Sequence, residues 1–175
     1  MNPVVHVRPP TAGAETDAVV TRLRSTFGAT VARRGALIDP AAGSLVGAYR
    51  HGRLAGVLAY DVEDDRCEVV AIESFDQRQG IGTALFDNVF DTARRLGCRQ
   101  LWVVTTNDNT GAFAFYQRWG MDLVAVRLGA VDAARAGIKL TIPLVGDGEV
   151  PIRHELELAV EIGQGASDHT IGSRR

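Results

Sequence analysis

Lysine is almost missing from this chain: Lys139 stands alone, and arginine supplies the rest of the 19 basic side chains. Against them stand 21 acids, giving a formal net charge of −2, and this balance argues against a nucleic-acid surface. Cysteine is scarce too. Cys67 and Cys98 lack metal-ligand spacing and fall in or beside apolar strand-like runs, where a small buried hydrophobe is the expected role. No run approaches the roughly 20 continuous apolar residues of a membrane span, and no basic-plus-apolar leader opens the chain, which predicts a cytoplasmic protein without membrane contact. Internal repeats are absent. What remains is 175 residues with 46% hydrophobic content, suited to one domain with a sizeable core.

The chain is organised around Gln77-Arg78-Gln79-Gly80-Ile81-Gly82-Thr83. Before it lies an apolar run, 67–75, that reads as a buried strand. After it, Leu85, Phe86, Val89, Phe90, Ala93 and Leu96 recur at helical spacing through 84–96. Gly80 and Gly82 therefore sit on a strand-to-helix turn, where the free first-turn N–H groups and the positive helix end suit an anion. A Walker loop is excluded, since no Gly-Lys-Ser/Thr follows. A dinucleotide fingerprint lacks its third small residue, position 85 being Leu, and three strands precede the turn where that motif should open a domain. A tight turn with two convenient glycines is the bland alternative.

The remaining elements follow from periodicity and punctuation. Val4–Arg8 reads as a strand stopped by Pro9-Pro10, and Ala14–Phe27 as a helix ended by Gly28. A short second helix is expected within 29–42, broken before Pro40. Strands 45–50 and 53–61 flank a His51-Gly52 turn, in which His51 is a turn residue and not a ligand. Residues 100–106 form an apolar strand, 110–119 a helix ended by Gly120, and 121–128 another strand. Gly129–Pro151 reads as a long loop that can hold a helical turn at 131–135. In 154–162, Leu156, Leu158, Val160 and Ile162 alternate with Glu155, Glu157 and Glu161, which predicts a strand with one buried and one solvated face. Residues 1–162 form the expected domain; 163–175 are a Gly/Ser-rich tail expected to be disordered.

Two motifs resemble the GNAT superfamily of acetyl-CoA-dependent N-acetyltransferases. Gln77, Gly80 and Gly82 fit its Gln/Arg-x-x-Gly-x-Gly/Ala turn. Some 30 residues later, Asn109-Thr-Gly-Ala112-Phe-Ala-Phe115-Tyr116-Gln-Arg-Trp-Gly120-Met121 is similar to its Asn-x-x-Ala-x-x-Phe-Tyr-x-x-x-Gly-Phe pattern, with Met replacing the last aromatic. The resemblance spans about 4–162. It implies an α/β chain, α+β in arrangement, with a central mixed, mostly antiparallel sheet of about seven strands flanked by about four helices.

For function, the resemblance implies acetyl transfer from acetyl-CoA to a primary amine of a small molecule or peptide, with no metal. Backbone N–H groups of Arg78, Gln79, Gly80, Ile81, Gly82 and Thr83 would bind the pyrophosphate, with Gln77 opening the turn and Arg78 adding charge. The strand edge at Ala71, Ile72, Glu73 and Ser74 would pair with the pantetheine arm, in a gap opened where this strand parts from 100–106. Asn109 and Ala112 would border the arm, although Asn109 also reads as a helix N-cap. Tyr116 would protonate the leaving thiolate, although it also reads as a core aromatic with a paired hydroxyl. For the base, Glu68 comes first and Glu73 second, with Glu155 and Glu157 behind them; some relatives place the acid where this chain has Arg66.

Strict alternation would put Glu68, Val70 and Ile72 on one face of their strand and Cys67, Val69 and Ala71 on the other, whereas a bulge before Phe75 would bring Glu73 inward. The 129–151 loop would cover the acceptor side, where Asp132 and Asp147 could hold a cationic acceptor. A homodimer is compatible with the sequence. The competing functions are a non-catalytic acyl-CoA-sensing module and a dinucleotide oxidoreductase.

Overall fold

The computed structural model of the chain describes residues 5–76 and 78–163, so Gln77 and residues 164–175 of the expected tail lie outside the described residues. Seven strands form one sheet in the order β1-β4-β5-β6-β7-β9-β8: β1 His6–Arg8, β4 Ser44–Arg50, β5 Arg53–Glu63, β6 Arg66–Ser74, β7 Gln100–Thr106, β8 Asp122–Arg127 and β9 Glu155–Glu161. Every pairing is antiparallel except β6–β7. That parallel pair requires a crossover, and α2 (Ile81–Arg95) supplies it. The expected mixed, mostly antiparallel sheet is therefore observed.

α2 lies on one face, where Ile81, Leu85, Phe86 and Val89 bury fully against Leu58, Val69, Leu101 and Leu158. On the opposite face α1 (Ala14–Phe27) buries Val19 and Leu23 against Val57, Ala59 and Ala71. His51 and Gly52 both take positive φ, as the two-residue turn between β4 and β5 demands.

Three expectations fail. Residues 29–42 form no helix: β2 (Val31–Arg33) and β3 (Ala36–Ile38) make a hairpin whose turn, Arg34-Gly35, has φ of 50 and 78. Local propensity is overridden by anchors outside the segment, namely the ion pair of Arg33 with Glu68 and the bond from the Arg34 N–H to Glu155. The 129–151 segment is no plain loop. It holds α4 (Ala130–Gly137), and the Arg135 guanidinium binds the carbonyls of Ile142, Pro143 and Ile152 at 2.7–3.0 Å. In β9 the glutamate face is solvated only at its end, since Glu155 and Glu157 are buried and Glu161 is exposed.

Gly56 on β5 sets how closely α2 approaches. A Cβ there would meet Ile81 Cγ2 at 2.6 Å and the Glu73 carbonyl at 2.9 Å. At Gly82 a Cβ would meet only the Phe115 ring, at an ordinary 3.8 Å. Gly56→Ala is therefore expected to cost about 1–3 kcal/mol in urea denaturation, while Gly82→Ala costs well under that. Equal losses would show that the helix does not rest on Gly56.

Candidate active site

The site begins with a fault in the sheet. β5 pairs Ala59 with Ala71 and Tyr60 with Val69, so Val70 is an extra residue in β6. A bulge bends its strand and increases the local twist. Pairing between β6 and β7 stops at the same level, its last register pair being Val69 with Val103. Beyond it the strands diverge around a cleft of about 330 Å³, lined from β6 by residues 69–72 and Ser74, and from β7 by residues 103–106.

The bulge also corrects the expected faces. Val69 and Ile72 pack on the α2 side, whereas Val70 and Ala71 pack on the α1 side. Glu73 turns to α1, where Arg22 and Thr26 bind it.

At the upper end of the cleft the turn into α2 is open. Gly80 caps the helix in the left-handed conformation, no side chain caps it, and no acid lies in its first turn. Gly82 borders the cleft directly. Arg50 braces the turn through Asp76 at 2.7 Å and Gln79 at 3.2 Å, which occupies the Gln79 side chain. Arg78 is exposed with φ 61, and the Ile81 side chain is core, so Ile81 can offer a ligand only its backbone.

α3 (Thr110–Trp119) forms the far wall. Its cap is Asn109, whose side chain accepts from the Ala112 N–H at 3.1 Å. Asn109, Ala112, Phe115 and Tyr116 line the cleft, so the cap and the cleft residue are one and the same. An aromatic cluster holds Tyr116: Phe86 sits 5.6 Å from its ring and 4.7 Å from that of Trp119, whose indole N–H donates to Asp87. The Tyr116 hydroxyl has no hydrogen-bond partner among the described residues, and burial pushes the phenol above its ordinary value.

Neither Glu68 nor Glu73 is among the residues lining this cleft. Glu68 pairs with Arg33 under the hairpin, where burial, opposed by Arg33, pushes the carboxyl up to about 7. Glu73 also feels burial, yet the bonds from Arg22 and Thr26 outweigh it and hold the carboxyl below the usual range. Glu157 is paired by Arg66 and Arg127, and Asp132 by Arg135 and Arg153. Trp102 lies among these charges with the guanidinium of Arg66 4.7 Å, of Arg34 5.0 Å and of Arg33 5.8 Å from its ring centre. Among the described residues no group of His, Cys, Asp and Glu could hold a metal, and no helix is long and apolar enough to cross a membrane.

The cleft-lining residues that sequence reasoning missed are Phe27, Val31, Val69, Val70, Phe115 and 103–106. The strand 103–106 was legible as the neighbour of β6. Val31 is hidden because the sequence predicts a helix where the hairpin forms.

Comparison with known proteins bears on this arrangement. The model of the acetyltransferase (GNAT) family matches residues 14–121. The chain is 39% identical over 110 residues to the uncharacterised protein YxbD of Bacillus subtilis, covering 63% of this chain and 69% of that one. It is 28% identical over 80 residues to the ribosomal protein bS18-alanine N-acetyltransferase of Escherichia coli, covering 45% of this chain and 54% of that enzyme. Among solved structures, a GNAT acetyltransferase of Elizabethkingia anophelis with acetyl-CoA bound superposes with a TM-score of 0.68 at 20% identity, over 90% of this chain and 98% of that one.

The Glu68 carboxyl holds its proton more tightly folded than unfolded. Its contribution to stability is full below the ordinary carboxyl value of 4.5 and disappears as pH rises through about 7. Urea denaturation at pH 5 and pH 7.5 is therefore expected to show a fall in stability that Glu68→Gln flattens. An unchanged slope in Glu68→Gln would mean that Arg33 keeps the pair ionised throughout.

Proposed function

The chain belongs to the GNAT acetyltransferase family, and on that premise we propose that it moves the acetyl group of acetyl-CoA to a primary amine of a small molecule or peptide. The observation carrying this reading is the continuity of one cleft from the uncapped helix end at Gly82 to the Tyr116 side chain. The residues fit such a ligand. Gly82 faces the cleft although the protein itself has room for a Cβ there, and the β7-facing edge of β6 is unpaired beyond Val69. That the bS18-alanine enzyme of E. coli acetylates an amine supports the acceptor class.

Acetyl-CoA would supply the activated acetyl group: a C–N bond forms, the C–S bond breaks, and the ammonium form of the acceptor loses two protons in all, one of which ends on the thiol. Within the chain, N–H groups of residues 78–83 would hold the pyrophosphate, joined by Gln77 at the turn. The free edge of Ala71–Ser74 would pair with the arm as an added strand does, beside Asn109 and Ala112. Tyr116 would hand its proton to the departing thiolate. Burial keeps the phenol protonated while the amine is free to attack, and the same dry cleft raises the basicity of the thiolate.

Because Glu68 and Glu73 are ion-paired and absent from the cleft lining, water takes the amine proton in this reading. The lack of a carboxylate there also favours a second reading, an acyl-CoA-binding module without turnover. Thiol release across an amine panel separates the two.

Tyr116→Phe preserves the packing and removes only the proton. Its kcat is expected to fall on the order of 10²-fold with acetyl-CoA affinity held; an unchanged kcat would return Tyr116 to the core. Gly82→Val is expected to abolish acetyl-CoA binding in calorimetry, while normal binding would mean the phosphates lie elsewhere.

A further inference from the structure

A second cavity, of about 270 Å³, adjoins the cleft, and both are bordered by Val31 and Thr106. Its walls come from the β2–β3 hairpin, α4, the segment that Arg135 ties down, and the start of β9. Most are apolar, among them Val131, Ala134, Ile142 and Ile152. Two charged residues also line it, Glu155 and Lys139.

Neither has an ion-pair partner among the described residues. Glu155 is 2% exposed and, among the described residues, accepts only the backbone N–H of Arg34, at 3.0 and 3.2 Å to its two oxygens. Among the described residues it makes no ion pair. The other two buried glutamates on this side of the sheet are matched, Glu68 by Arg33 and Glu157 by Arg66 and Arg127. Arg33 feels the Glu155 charge but is engaged by Glu68.

Lys139, the only lysine of the chain, donates to the Thr30 carbonyl and likewise has no ion-pair partner among the described residues. A buried carboxylate without a counter-charge is costly, and a ligand that brings the counter-charge recovers that cost. One unmatched anion and one unmatched cation in an apolar chamber complement a zwitterion with an apolar body.

Resting on the transferase reading above, we propose that the acceptor is a free amino acid with an aliphatic side chain. Its ammonium meets Glu155 and yields a proton to water before the neutral amine attacks, its carboxylate meets Lys139, and its side chain lies against Ile142 and Ile152. Glu155 is the register partner of Thr106, which also walls the cleft, so this orientation turns the amine toward the acetyl donor. Glu155 and Lys139 bind the acceptor directly, and the small chamber selects single amino acids over peptides.

The test is acetyl-CoA-dependent thiol release with L-leucine, L-leucine amide and 3-methylbutylamine, the last two keeping the aliphatic body without the carboxylate. Wild type is expected to favour leucine at least 10-fold in kcat/KM. Lys139→Met should remove that preference by raising the leucine KM, leaving the acetyl-CoA KM and the 3-methylbutylamine rate unchanged, and Lys139→Arg should restore part of it. Glu155→Gln, which can still accept the Arg34 N–H, should raise KM for all three amines. Equal use of 3-methylbutylamine and leucine, or a silent Lys139→Met, would overturn the amino-acid assignment and leave the transferase reading standing. Acetyl-CoA binding with no thiol release for any amine would overturn the transferase reading and this assignment with it.

Discussion

One extra residue, Val70, governs the architecture of the site. By adding itself to β6 without a partner on β5, it bends that strand at the level where β6 and β7 separate. The consequences are concrete. Backbone groups of Ala71–Ser74 lose a neighbour on the β7 side, a cleft opens, and Glu73 is turned toward α1. Close packing of α2 over Gly56 then sets the uncapped N-terminus of that helix at the head of the cleft. Tyr116 reaches the same space because Phe86 of α2 packs against both it and Trp119. Strand, turn and phenol are thus positioned by one bulge and one close helix contact.

The opposite side of the sheet follows a different physics. There the hairpin β2–β3 covers a layer of charge: Arg33, Arg66 and Arg127 pair with Glu68 and Glu157 around the Trp102 ring. Buried pairs of this kind contribute little net stability against an apolar equivalent, but removal of one partner is expensive. They dictate where the hairpin sits, and the hairpin supplies Val31, a wall shared by both cavities. Glu155, bound among the described residues by a backbone N–H alone, is the exception in this layer.

Much of this was legible in the residues. The glycine turn, the periodicity of α2 and the Asn109–Met121 pattern mark the cleft's two helical walls, while the His51-Gly52 turn within 45–61 and the alternation in 154–162 mark strands. The failures share a cause, which is contact with residues distant in sequence. No residue type announces a bulge at Val70, so the faces of β6 could not be read. Arg34-Gly35 is a turn signal, but the hairpin's stability rests on Glu68 and Glu155, far along the chain. The β9 glutamates alternate as a solvated face would, and only the overlying arginines and hairpin reveal it as buried. The order in 129–151 depends on the side chain of Arg135, whose three carbonyl acceptors no pattern reveals.

The central claim is that the gap between β6 and β7 receives an extended arm whose phosphates rest on α2. Amide hydrogen exchange with and without acetyl-CoA tests it most directly. The account predicts slowed exchange in two separate segments, 71–74 and 78–83, because added-strand pairing protects the first and the pyrophosphate the second. Protection confined to other strands, or no protection under conditions where calorimetry shows binding, would contradict it.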